Sequence, residues 1–170
     1  MDVYEAVKKR YSCRAYKNKP IEPEKLKRVF DAARLAPSAK NFQDWRFVVV
    51  TEESTKQQVA KAAKEQMFLA EAGAIIVACS NSDYVMSCGQ PIAGIDVAIA
   101  LEHIALTAVQ EGLATCWIGS FSPGEIHQIL NIPENIEIIE LMALGYPADK
   151  SRAAKRENLE TIFCYEKWGF

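Results

Sequence analysis

The side chains with the most chemical reach lie in three short stretches of the chain. KRYSCRAY, Lys9 to Tyr16, sets Arg10, Ser12 and Arg14 at alternate positions directly after a helical pattern. Arginine offers paired donors in one plane and serine adds a hydroxyl, so the trio suits a phosphate; the same residues also fit a solvated basic loop. APSAKNFQDW, Ala36 to Trp45, gathers a proline, a serine, an asparagine, a glutamine and a tryptophan with no hydrophobic period. It reads as a helix stop at Pro37 with an Asx-type turn at Asn41, or as a set of groups offered to a ligand. CWIGS, Cys116 to Ser120, ends a strand in glycine, which suits a ligand lying against the backbone or a simple turn. A late basic pair, Lys155 and Arg156, could converge with the first cluster on one anion.

What is missing narrows the chemistry further. No G-x-G-x-x-G follows a strand and no G-x-x-x-x-G-K-[ST] occurs, so neither a Rossmann dinucleotide site nor a P-loop is indicated. His103 and His127 are the only histidines. The first falls on an apolar helix and reads as a core or interface residue, the second on a surface helix as a solvated one. Asp96 and Glu102 read as packing partners on the same apolar helix. Five cysteines at wide separations carry no zinc spacing. Any redox or transfer chemistry would therefore be carried by a cofactor.

Charge and termini exclude other classes. Twenty Lys and Arg against 22 Asp and Glu give a net charge of −2, so no global field attracts nucleic acid or an anionic membrane. MDVYEAVKKR is charged where a signal peptide needs an apolar core, and reduced thiols in the cytoplasm are expected. The long apolar run from Ile92 to Leu113 carries Asp96, Glu102 and His103, which argues against a membrane span.

These side chains need a scaffold, and the periodicity supplies one. Leu26, Val29, Phe30 and Ala33 form one helical stripe after Pro23, delivering the chain to the polar turn. RFVVVT, AIIVACS, ATCWIGS and IEIIELMALGYP read as four strands, the second apolar on both faces. EESTKQQVAKAAKEQ reads as an exposed helix with Val59, Ala62 and Ala63 inward, and SPGE, Ser122 to Glu125, as a capping box opening another helix. From Pro91 to Glu111 the helical pattern is apolar nearly all round, so it must be wrapped on every side, in part by a second subunit. At 170 residues a single domain, 1–170, of α+β class is expected.

Taken in order, RYSCRAY, PSAKNFQDW, the long apolar helix, ATCWIGS, and LGYP followed by the late basic pair resemble the nitroreductase family of FMN-dependent oxidoreductases. The resemblance implies a central, mostly antiparallel sheet flanked by helices, and an intertwined homodimer with two FMN molecules at its interface. Arg10, Tyr11, Ser12 and Arg14 of one subunit, with Lys155 and Arg156, would then hold the phosphate, ribityl chain and pyrimidine edge. Pro37, Ser38, Ala39 and Asn41 would reach the flavin from the other subunit, and Ile118 and Gly119 would lie near flavin N5. No catalytic side chain is implied, because the flavin carries the chemistry. It would relay hydride from NADH or NADPH to a small acceptor, with nitroaromatics, quinones and flavins as the acceptor classes. A flavin storage or sensing module, or a reaction such as dehalogenation, is the alternative. Asp44 departs from the pattern where proline is usual before Trp45, and Tyr11 stands where arginine or histidine is common.

Overall fold

The computed structural model describes residues 1–150 and 154–170 and is built on a four-stranded antiparallel sheet. Its strands are β1 (Trp45–Val50), β2 (Ala74–Ser80), β3 (Ala114–Ile118) and β4 (Glu137–Gly145), arranged in space as β1-β2-β4-β3. β2 is buried at every position, as its unbroken apolar run requires of an inner strand covered on both faces. The period-two alternation then sorts the core. Ile75 and Val77 join Cys116, Ile118, Leu141 and Ala143 on one face, while Ala74, Ile76 and Ala78 join Met142 and Leu144 on the other.

Helices α1 (Val3–Lys9), α2 (Pro23–Arg34), α3 (Glu53–Ala62), α4 (Phe68–Glu71), α5 (Ile92–Gln110) and α6 (Pro123–Leu130) complete the layers. Val59, Leu69 and Ile126 place α3, α4 and α6 on the first face. Val29, Ala33, Val97, Leu101 and Ile104 place α2 and α5 on the second. α2 begins with Pro23 in its first turn and stops at Arg34, just before Ala36 and Pro37. α5 is followed by Gly112 in the left-handed region at φ 73°. α6 departs from expectation: Ser122 makes no side-chain cap, and its backbone N–H instead donates to the Ala62 carbonyl at 2.8 Å. A tertiary bond to the end of α3 thus takes the place of the capping box.

Two features leave apolar surface uncovered within the chain. Along α5, Ile95, Ile99, Glu102, Leu106 and Val109 recur at helical spacing on a stripe that stays partly open, with Ile95 42% exposed. By length and hydropathy α5 could cross a membrane, yet half of that span is buried inside the fold. From residue 154 onward the tail is exposed throughout, Leu159, Phe163, Tyr165 and Trp168 included.

Candidate functional site

Arg10 ends α1, its N–H donating to Ala6 O at 2.9 Å, and the chain turns extended. Ser12 then pairs with Thr115 of β3, and the Cys13 N–H donates to Thr115 O at 2.9 Å. An extended segment alternates its side chains, so Cys13 points into the core while Ser12 and Arg14 are exposed. Arg10 is half-buried, with its guanidinium 3.8 Å from the Glu102 carboxylate on the open stripe of α5. Burial raises the Glu102 carboxyl, and the Arg10 charge opposes that rise. Burial also raises the Cys116 thiol, against the lowering effect of Arg14 and Ser12 beside it.

Tyr11 is turned elsewhere. Its hydroxyl donates to the backbone oxygen of Asp149 at 3.1 Å and to the Asp149 carboxylate at 3.0 Å, and burial raises the phenol well above its usual range. The Cys13 thiol points at the same carboxylate at 3.3 Å. Tyr11 therefore ties the basic segment to the start of the tail. Lys155 and Arg156 stand beyond it on exposed, irregular backbone, and among the described residues neither forms an ion pair.

The polar turn is a short 3-10 turn, Ala39–Asn41, closed by Asn41 N–H to Ser38 O and Phe42 N–H to Ala39 O, each at 3.0 Å. The Asx-type turn expected at Asn41 is replaced by Ser38, whose hydroxyl accepts the Gln43 N–H at 3.0 Å. Lys40, Asn41 and Gln43 all occupy the left-handed region, at φ 48°, 59° and 53°. Side chains pay for that conformation through contact with their own backbone, so three in four residues is a locally strained device. It is held from below by Asp96. That carboxylate is 2% exposed and accepts the Ala39 N–H on both oxygens, at 3.1 and 3.2 Å. Burial raises its pKa, the Ala39 N–H lowers it, and the charge of Asp44 raises it again. Both Asp44 oxygens are buried and have no hydrogen-bond partner among the described residues. Pro37 and Asn41 are left exposed, Ser38 and Ala39 half-buried.

At the end of β3, Ile118 is buried and Gly119 exposed. A Cβ built on Gly119 would meet only the Glu140 carboxylate, at 3.5 and 3.7 Å, which is ordinary contact. Packing within the chain therefore does not demand glycine there. Burial raises the Glu140 carboxyl toward its neutral form, opposed by the Ile118 N–H.

The histidines divide differently from expectation. His103 is half-buried, its Nδ1 3.2 Å from the Ala32 carbonyl oxygen where α2 meets α5. His127, expected in solvent, is also half-buried, with Nδ1 3.0 Å from Ile132 O. An aromatic pair escaped the sequence reading because its members are distant in the chain. The Phe42 and Tyr84 rings meet edge to face, centroids 5.2 Å apart at 69°, and the Lys40 ammonium lies 4.6 Å from the Tyr84 ring centre.

Helix α5 separates the two polar groups. Asp96 holds the turn and Glu102 faces Arg10, and on an α-helix these positions stand about 9 Å apart along the axis and about 120° apart around it. Within one chain the basic segment and the polar turn therefore occupy different flanks of the same helix.

The pattern of the Nitroreductase family matches residues 7–82 and 66–146. A protein of Archaeoglobus fulgidus named as an NADH dehydrogenase/NAD(P)H nitroreductase is 33% identical, the match covering 94% of each chain. The crystal structure of a nitroreductase family protein from Clostridium difficile 630 superposes with a TM-score of 0.90 at 32% identity, covering 99% of this chain and 100% of that one. The fold alone is shared with the NADPH:FMN oxidoreductase of Vibrio harveyi, at 21% identity and TM-score 0.90 over 99% of this chain and 78% of that one. The chain belongs to the nitroreductase family.

Proposed function

We propose that the protein binds FMN and passes hydride from NADH or NADPH to a small acceptor of the nitroaromatic, quinone or flavin class. NAD(P)H-dependent oxidoreduction is the activity of its family, and the reading supplies the cofactor and the site. The observation that carries it is the pair of exposed side chains Ser12 and Arg14 on backbone fixed to β3, with half-buried Arg10 next to them at the end of α1. Two guanidiniums and a hydroxyl supply the donors a phosphate and a pyrimidine edge require.

The remaining residues fit the same group. The exposed Gly119, next to buried Ile118 at the end of β3, lacks a side chain that would hold a flat ring away from the backbone. When bound, FMN supplies the hydride-accepting and hydride-donating chemistry. Arg10 and Ser12 would anchor its phosphate, with Lys155 and Arg156 as further cations. Arg14 would place positive charge at the pyrimidine edge, where a cation stabilises the reduced ring. Ser38, Ala39 and Asn41, with Pro37 at the rim, would complete the pocket from a second subunit. The open stripe of α5 and the exposed aromatic tail support a homodimer.

The test is direct. Purified protein should be yellow, retain FMN through dialysis, and oxidise NADH or NADPH in step with reduction of a quinone or nitroaromatic. Protein that stays colourless in excess FMN contradicts the assignment. Protein that holds FMN without acceptor-dependent turnover is a storage or sensing module instead.

A further inference from the structure

We infer that Lys40, Phe42 and Tyr84 form an acceptor-selecting face, and that the acceptor it favours is a planar aromatic molecule carrying an anionic group. The inference rests on the FMN oxidoreductase reading, because these residues adjoin the turn assigned to the flavin.

Phe42 comes from the polar turn and Tyr84 from the loop between β2 and α5, and their rings pack edge to face. A ring fixed in this way is normally buried, yet Phe42 remains 48% exposed. A half-open aromatic edge braced by a second ring is a surface on which another flat ring can stack. Lys40 adds charge to that edge. Its ammonium lies 4.6 Å from the Tyr84 ring centre, and among the described residues it forms no ion pair. The acids near it are otherwise placed. Asp96 is buried and accepts the Ala39 N–H on both oxygens, and the Asp44 oxygens are buried beneath the turn. Asp83, exposed beside Tyr84, makes no ion pair with Lys40. The face that meets solvent is thus a ring edge with a cation next to it. The left-handed backbone at Lys40, Asn41 and Gln43 is what presents it, and such conformations persist where the surroundings hold them for a purpose.

The experiment uses the FMN-loaded protein and two acceptors of equal size, 4-nitrobenzoate and 4-nitrobenzamide, which differ in charge. The ratio of their kcat/KM values should favour the anion and fall by about fivefold in Lys40→Asn, the factor expected at the upper end for a solvent-facing charge pair. Asparagine removes the cation while tolerating left-handed backbone, so the turn keeps its shape. Salt at about 0.5 M should shrink the wild-type ratio in the same direction. Phe42→Leu should lower kcat/KM for both acceptors together. Calorimetric binding of benzoate against benzamide gives a readout free of turnover and should show the same preference and the same loss in Lys40→Asn. A ratio and a binding preference unchanged by Lys40→Asn overturn the inference, as does a partner subunit that covers the face and abolishes benzoate binding. Failure of the FMN reading appears separately, as protein without flavin or without quinone turnover. Yellow protein that turns over quinone without charge discrimination sinks the acceptor inference alone.

Discussion

The buried carboxylate beneath the polar turn offers the sharpest test of how this site is held. Asp96 accepts the Ala39 N–H on both oxygens and is nearly closed to solvent. Asp96→Ala leaves that N–H without an acceptor in a half-buried position, which costs about 1–3 kcal/mol. At this chain length each kcal/mol lowers Tm by about 2–4 °C. Asp96→Asn behaves differently, because the amide oxygen keeps an acceptor for Ala39 while the charge that repels the buried Asp44 oxygens is removed. The sign of the pH dependence follows from the raised pKa of Asp96, caused first by burial and augmented by Asp44. A carboxyl raised in the folded state gives its full stabilisation below the unfolded value, about pH 4, and loses it as pH rises through the folded value. The wild type should therefore lose stability relative to Asp96→Asn as pH rises from about 4 toward neutrality. Urea titrations of all three proteins across that range, at one fixed protein concentration, measure this. Asp96→Asn as unstable as Asp96→Ala at neutral pH, or a gap between wild type and Asp96→Asn that does not vary with pH, refutes the reasoning.

Arg10→Ala should weaken FMN binding by about 1.5–3 kcal/mol, the range for hydrogen bonds to charged groups, whereas Lys9→Ala should change it little; fluorescence titration of apoprotein with FMN reads both. Equal losses from the two would point to a diffuse basic surface. Gly145→Ala should cost about 1–3 kcal/mol by overpacking, because its Cβ would lie 2.8 Å from Gly73 N and 2.9 Å from Tyr16 Cδ1, and thermal unfolding should show it.

Much of this was readable from residue types and spacing. Proline and glycine marked the ends of α2 and α5, and the unbroken apolar run of β2 marked an inner strand, because these signals act through local backbone physics. The parts that stayed hidden depend on contacts between distant residues. Lys56 is 6% exposed on a helix whose polar side chains suggested exposure, since its ammonium reaches the Ala72 carbonyl at 2.6 Å. Ser122 gave up its cap for Ala62, and Tyr11 turned to Asp149, some 138 positions away. Strand alternation, a local property, puts Ser12 and Arg14 on one exposed side, as the structure has them. The Phe42 and Tyr84 pair was not legible, since no local period links a turn at residue 42 with a loop at residue 84. Asp96 was read as a packing partner, and its role under the turn emerged only once Ala39 lay above it.

On the function proposed above, each flavin site takes its basic segment from one subunit and its polar turn from the other. Heterodimers isolated from cells expressing an Arg10→Ala chain and a differently tagged Asn41→Ala chain test it most directly. If the assignment holds, both lesions fall in one pocket and the second pocket is intact. The heterodimer should then bind about one FMN, roughly half of the wild-type dimer's content, with wild-type affinity at that site. Two weakened sites, one with each lesion and neither at wild-type affinity, would overturn the cross-subunit arrangement and place both groups on the same flavin within one chain.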